Sequence, residues 1–252
     1  MMGAAPACPA DTRAEAGKRR FVQRLFSEIA PRYDWFNRLA SCGLDQGWRR
    51  AAVSRGGVAS GHRVLDLCTG TGDLAFLCAE RQRGRGLVVG ADFNAEMLRQ
   101  ARGKQARRMA QIAWVQADAE ALPFPTGGFD RVFIGFSTRN LGDLGRGLRE
   151  LVRVLAPGGR LVILETGYPE HPALRAAYRV FLFTVARAIG FVLTGRVWPF
   201  TYLERSVRQF LTPAQMLARL QGLETQVQYV PLAHGCASLY IAIKTASNGR
   251  GT

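Results

Sequence analysis

The chain has 252 residues, 48% of them hydrophobic and 21% charged, which is ample for one α/β domain with its own core; it shows no internal repeat, and this argues against an extended array. A formal charge of +15, from 34 Lys plus Arg against 19 Asp plus Glu, admits either nucleic acid or an anionic membrane surface. The arginines are scattered, with only the short block Lys18-Arg19-Arg20, so a membrane surface ranks first and no nucleic-acid partner is expected. Five cysteines, an odd number without a C-x-x-C pair, point to reduced thiols in the cytoplasm rather than to disulfides or zinc. His62, His171 and His234 are too dispersed for a triad or a metal site, and no metal is expected. No apolar leader precedes a cleavage site, so no signal peptide is expected.

In chain order, residues 1–17 read as an aperiodic tail rich in Ala, Pro and polar groups. Residues 18–55 form a helical preface, with Phe21, Leu25, Phe26 and Ile29 on one face, a break at Pro31 and a second helical run around Trp48. A core domain follows over 56–246. Strands are predicted at Arg63–Leu67, Leu87–Ala91, Ile112–Gln116, Arg131–Gly135 and Arg160–Leu164, alternating with helices such as Ala95–Met109 and Leu144–Leu155. That alternation predicts a parallel sheet covered by helices on both faces. Pro157-Gly158-Gly159 is expected to end a helix and turn into the next strand. A helical lid spans 173–210, a helix covers Thr212–Leu220, and two last strands, Gln226–Val230 and Ala237–Lys244, suggest an antiparallel edge before a short tail at 247–252.

The most informative stretch is Val64-Leu65-Asp66-Leu67-Cys68-Thr69-Gly70-Thr71-Gly72-Asp73, a buried strand ending in a carboxylate and opening through a glycine turn into a helix. Gly70 and Gly72 let the backbone turn sharply against a ligand, while the helix leaves its first N–H groups free. Asp92 ends the second strand, where a carboxylate accepts both hydroxyls of a ribose, and Phe93 follows it. The letters also fit the dinucleotide fingerprint Gly70-x-Gly72-x-x-Ala75. Asp66 favours the other choice, because a carboxylate there suits the methionyl ammonium of S-adenosyl-L-methionine and repels a pyrophosphate. Asp73 as a plain helix cap is the structural alternative. Asp118 and Ala119 follow the third strand, placed to accept from an adenine amino group and to face its ring, or else to cap a helix.

Together with Tyr33-Asp34-Trp35-Phe36-Asn37, Asp118-Ala119-Glu120-Ala121-Leu122-Pro123-Phe124, Gly135-Phe136-Ser137-Thr138-Arg139-Asn140 and Tyr202-Leu203-Glu204-Arg205-Ser206-Val207, these motifs resemble the ubiquinone/menaquinone biosynthesis C-methyltransferase family from roughly Phe21 to Lys244. The resemblance implies a class I S-adenosylmethionine-dependent methyltransferase: a Rossmann-like, mostly parallel seven-stranded sheet with an antiparallel edge and an N-terminal helical preface. It also implies methylation of a ring carbon of a polyprenyl hydroquinol, a demethylmenaquinol or a ubiquinol precursor. The cofactor residues expected are Asp66, Thr69, Gly70, Thr71, Gly72, Asp92, Phe93, Asp118, Ala119 and Gly135. The chain departs from the family pattern at Cys68, at Gly135, at Ser137-Thr138 and in the absence of a histidine from its last strand.

A ring carbon becomes nucleophilic when an adjacent hydroxyl gives up its proton, so a quinolate must be stabilised. Arg139 is a fixed cation with a planar fork of donors, suited to that oxyanion. By resemblance Arg139, Asn140 and Tyr33 form the reaction centre, with Asn140 holding a water and Tyr33 hydrogen-bonding or walling the pocket. Against these roles stand a core ring for Tyr33, an ion pair with Asp143 for Arg139 and a helix cap for Asn140. Arginines interrupt the apolar run from Ala173 to Phe200 before it is long enough to cross a bilayer, so it suits an interfacial helix, a lid over a greasy tail, or core packing. The expected partners are a lipid-soluble quinol and the inner face of the cytoplasmic membrane, and a homodimer is left open.

Overall fold

The computed structural model describes residues 12–108, 110–169, 171–194 and 198–245. Its preface is α1 (Thr12–Ile29), a 3-10 turn at Ala30–Arg32, α2 (Tyr33–Ala40) and α3 (Leu44–Gly56). The core runs β1 (Arg63–Leu67), α4 (Asp73–Gln82), β2 (Leu87–Asp92), α5 (Ala95–Gln105), β3 (Ala113–Gln116), β4 (Phe129–Gly135), α6 (Leu144–Val154) and β5 (Leu155–Thr166). Then come α7 (Pro172–Phe181), a π-helical turn (Leu182–Ala186), α8 (Arg187–Thr194), α9 (Trp198–Gln209), α10 (Pro213–Gln221), β6 (Thr225–Leu232) and β7 (Ala237–Lys244).

The seven strands lie in the order β3-β2-β1-β4-β5-β7-β6, with β7 antiparallel to both of its neighbours and every other pair parallel. Chain direction makes the topology: β1 leads outward to β2 and β3, then the chain returns to lay β4 on the other side of β1. Beyond the carboxyl ends of β1 and β4 a crevice opens, the place where open α/β sheets hold ligands.

Strand periodicity divides the core into two layers. Leu65, Leu67, Val132, Ile134, Leu161 and Ile163 point to one face, under Leu148 and Leu151 of α6 and Met216 and Leu220 of α10. Val64, Phe133 and Val162 point to the other, against Ala52 and Val53 of α3 and Phe76 of α4. Burial on both faces explains why β1 and β4 read as continuous apolar runs rather than alternating ones.

Local chemistry moves several predicted boundaries. Helix α1 starts at Thr12, inside the stretch expected to be tail, because its Ala, Glu, Lys and Arg residues are good helix formers; residues 1–11 and 246–252 lie outside the described residues. Pro157-Gly158-Gly159 does not separate a helix from a strand. Leu155 is fully buried and already pairs with Phe129, so the Pro-Gly-Gly triplet sits in a bulge within β5, with Gly158 at φ +73°. Helix α5 ends at Gln105, short of Met109, which is outside the described residues. Its start is firmly set, since the Asn94 side chain accepts from the Glu96 and Met97 N–H groups.

The turn between β1 and α4 depends on Gly72, which adopts φ +90° and whose missing Cβ would lie 2.6 Å from the Trp114 ring. Gly72→Ala therefore combines left-handed backbone with a clash. It is expected to destabilise the fold by roughly 1–3 kcal/mol, read as a lower urea midpoint at unchanged slope; an unchanged midpoint would show that Trp114 yields freely.

Candidate active site

Two cavities meet over the carboxyl ends of β1, β2 and β4. The smaller, about 60 Å³, is lined by Gly70, Asp92, Phe93, Asp118 and Ala119, with Val22 and Phe26 of α1 as its roof. The larger, about 310 Å³, is walled mostly by apolar and aromatic side chains of α1, α2, α3 and the lid helices, with Arg139 among them. Phe26, Tyr33 and Asn140 line both. A more open groove of about 950 Å³, rich in arginine, lies toward the amino ends of β1 and β2 and has no strand-end carboxylate.

The glycine turn is organised by two buried acids. Asp92 accepts from the Gly70 N–H and the Asn94 N–H, both at 2.8 Å, and so ties the turn to the end of β2. Burial raises its carboxyl to about 6 against the pull of these backbone donors. Asp66, 1% exposed, accepts from Thr69 Oγ1 at 2.5 Å and from the Ala75 N–H at 3.0 Å, leaving Oδ1 without a partner. Burial lifts it to about 7.

The remaining cofactor candidates divide. Thr69 serves Asp66, while Thr71 donates to Asp34 Oδ1 at 2.5 Å and accepts from Lys104 Nζ at 2.9 Å. Lys104 also pairs with Asp34 at 2.5 Å and Asp73 at 2.8 Å, so Asp73 is an ion-pair partner and not a side-chain cap. Gly135 does not line the small cavity; a Cβ there would meet Leu74 Cδ1 at 2.7 Å, which gives this glycine a packing reason. Asp118 lines the cavity and is ion-paired with Arg19 of α1. Sequence reasoning passed over Arg19, since a preface arginine carries no signal that it will fold back onto a strand end.

Around the larger cavity, Arg139 and Asn140 sit on the 3-10 turn Thr138–Asn140 that follows β4. Asp143 is not the partner of Arg139. It caps α6 by accepting from the Arg146 N–H at 3.0 Å, which also removes the capping alternative for Asn140. Arg139 is held instead by Glu165 at the end of β5, a residue with no motif around it, and by the Phe136 carbonyl at 2.7 Å. Its Nε is buried and has no hydrogen-bond partner. Asn140 Oδ1 accepts from the Tyr202 hydroxyl at 3.1 Å. Tyr33 packs edge-on against Phe26, and burial raises its hydroxyl while a hydrogen bond with Asn37 and the charges of Arg49 and Arg139 draw it back down.

A doubly wound sheet with this glycine turn and acids at the ends of β1, β2 and β3 defines a class I methyltransferase. In fold the chain is similar to a SAM-dependent methyltransferase from Aquifex aeolicus, at TM-score 0.58 and 18% identity over 77% of this chain and 88% of that one. Residues 13–244 match the ubiE/COQ5 methyltransferase family, and the chain belongs to that family. It is 45% identical to a demethylmenaquinone methyltransferase of Thermus thermophilus over 86% of this chain and 98% of the relative. It is 36% identical to a ubiquinone/menaquinone biosynthesis C-methyltransferase of Methylococcus capsulatus, over 92% and 95%. The enzyme is thus S-adenosylmethionine-dependent.

The residues present fit that cofactor. Asp66 Oδ1 is buried without a hydrogen-bond partner behind the glycine turn, and Asp92 presents an acceptor at the wall of the smaller cavity. When bound, the cofactor supplies an electrophilic methyl group. Because the folded pKa of Asp66 is raised from 3.8 to about 7, the empty protein keeps a proton that the unfolded chain releases. Its stabilising contribution is full below pH 3.8 and fades as pH rises to about 7. A cation beside the ionised form reverses this preference. Binding of S-adenosylhomocysteine at pH 6 is therefore expected to release protons, seen as a calorimetric enthalpy that varies with buffer ionisation heat, and Asp66→Asn should lower that release. Buffer-independent heats would remove Asp66 from the ammonium site.

Proposed function

We propose that this enzyme methylates a ring carbon of a polyprenyl hydroquinol, with a demethylmenaquinol as first choice and a ubiquinol precursor as second. The observation that carries this reading is the junction of the cavities: a small pocket lined by strand-end acids opens through Phe26, Tyr33 and Asn140 onto a mostly apolar chamber whose wall holds two dry arginines, Arg49 paired with Asp45 and Arg139 paired with Glu165. About 310 Å³ is at the low end for a small-molecule pocket, enough for a ring and the beginning of a tail. The first choice of substrate follows the name of the Thermus relative, a demethylmenaquinone methyltransferase.

The chemistry asked of the chain is electrostatic. A neutral hydroquinol enters an apolar chamber; its ring carbon gains nucleophilicity as the hydroxyl proton leaves; and Arg139, a fixed cation in the chamber wall, offers a donor to the developing oxyanion. Asn140, oriented by Tyr202, holds the water that takes the proton, and Tyr33 closes the wall between ring and cofactor. Arg139→Ala is expected to lower single-turnover methyl transfer to a demethylquinol by about a hundredfold to a thousandfold with little change in S-adenosylhomocysteine affinity. Equal losses in rate and affinity would move Arg139 to cofactor support.

The tail must leave the chamber, and the apolar lid supports an exit on its side. Tyr178, Phe181 and Leu203 line the cavity from within, while Val180, Phe183, Phe191 and Val192 are exposed outside, Val192 by 82%. Helix α2 packs on α8 and the π-helical turn, adding exposed Trp35 and Leu39 to the same side. Among the described residues no helix is long and apolar enough to cross a membrane. The reading is peripheral docking on the inner, anionic face of the cytoplasmic membrane, with Arg179 and Arg187 supplying charge. Co-sedimentation with anionic vesicles is expected at low salt and should weaken as salt rises; protein left wholly in the supernatant at low salt would assign the lid to ordinary packing.

A further inference from the structure

We infer that Glu165 is a positioning residue for methyl transfer, whose ionised carboxylate sets the direction in which Arg139 presents its charge. This rests on the reading of Arg139 as the cation that stabilises the quinolate. Glu165 is among the most buried acids of the chain, 1% exposed, at the end of β5, where no substrate or cofactor motif lies.

Its two oxygens are saturated by four donors. Oε1 takes Arg139 Nη1 and the Thr166 N–H at 2.9 Å, while Oε2 takes Thr138 Oγ1 at 2.6 Å and the Arg139 N–H at 3.3 Å. Three of these four belong to the turn that carries Arg139 and Asn140, so one side chain sets both the backbone of that turn and the fork of its arginine. With Nη1 committed to Glu165 and the Phe136 carbonyl, the unpaired buried donor left is Nε. The Arg139 side chain is only 8% exposed, and a cation this dry needs a resident anion to remain in the wall.

Neutralisation has a second effect. A neutral hydroquinol entering the chamber meets a pair with no net charge, so little attraction is spent on the ground state. The charge that develops on the ring oxygen then gains the oriented donor that the uncharged hydroxyl used weakly, which is the kind of difference that raises turnover. Arg139 shares the chamber with the hydroxyls of Tyr33, Tyr178 and Tyr202, which burial pushes up; its charge opposes that push at each, after Asn37 and Arg49 at Tyr33.

The same geometry makes a claim about removing both partners. Arg139→Ala loses a donor and also leaves the Glu165 carboxylate uncompensated near the position of the quinolate, where it opposes charge development. Glu165→Gln removes that anion. The experiment measures single-turnover methyl transfer to a demethylquinol, KM for the quinol and S-adenosylhomocysteine affinity for Arg139→Ala, Glu165→Gln, the double variant and Glu165→Asp. Glu165→Gln is expected to lower turnover at least about tenfold, with KM and cofactor affinity within about twofold, because a carboxamide turns one acceptor toward N–H donors. Glu165→Asp, which keeps the charge, should retain more turnover than Glu165→Gln. The double variant should be at least about threefold faster than Arg139→Ala alone.

Losses that multiply in the double variant, or a Glu165→Gln variant that is slow only because cofactor affinity falls with it, would reduce Glu165 to a structural acid and overturn the proposal. If Glu165→Gln does not fold, Glu165→Asp decides: turnover lost in step with cofactor affinity rejects the role, and turnover lost alone supports it. Near wild-type transfer by Arg139→Ala would instead refute the underlying reading of Arg139, an outcome distinct from multiplying losses on a slow Arg139→Ala background.

Discussion

One ammonium group joins the parts that must meet for this site to exist. Lys104, near the end of α5, reaches Asp34 of α2, Thr71 of the glycine turn and Asp73 at the start of α4. Asp34 belongs to the helical preface, and the other two partners belong to the core. Without a tie of this kind the preface would be a loosely attached set of helices, and the roof that Phe26 and Tyr33 form over both cavities, and Val22 over the smaller, would have no fixed height above the sheet. The node is partly hydrated, so its value is geometric more than energetic, as for other ion-pair networks near the surface. Buried Arg49, paired with Asp45 and lying 5.2 Å over the Phe136 ring, adds a drier tie between α3 and the loop after β4.

The acids of the site are handled in two opposite ways. Asp66 and Asp92 lie in apolar surroundings with backbone or hydroxyl donors and no basic side chain bonded to them, so both are held above the ordinary carboxylate value. Asp73, equally committed to the glycine turn, is held below it, because Lys104 and Arg49 outweigh the effect of its burial. Asp73 is thus matched with cations, whereas Asp66 and Asp92, toward the carboxyl ends of β1 and β2, are met by neutral donors alone.

Much of this was legible from residue order. The glycine turn, the strand-end acids and the antiparallel edge follow from periodicity and from carboxylates placed after apolar runs; β1 and β7 fall on their predicted bounds. What stayed hidden were contacts between distant segments. Glu165 lies in a strand interior pattern and has no spacing relation to Arg139; Asp143, nearby in sequence, looked the better partner until its capping role was visible. Arg19 meets Asp118 only because α1 folds over the crevice. Gly135 reads as a ligand contact, and its packing reason, a Leu74 side chain 2.7 Å from where a Cβ would stand, has no signature in the sequence.

The sheet order also sets a sequence of assembly. β1 pairs with β2 across a single intervening helix, but its other edge waits for β4, with Val64 opposite Arg131. Pairing over so long a loop is slow compared with closing a local strand-helix-strand unit. The half of the site that holds Asp66, Asp92 and the glycine turn is therefore built from local contacts, whereas Arg139 and Asn140 arrive with β4, and Glu165 with β5. The residues assigned to the chemistry of this enzyme thus depend on longer-range strand pairing than the turn that Asp66 and Asp92 organise, and even the smaller cavity is closed only when the loop 137–142 after β4 is in place.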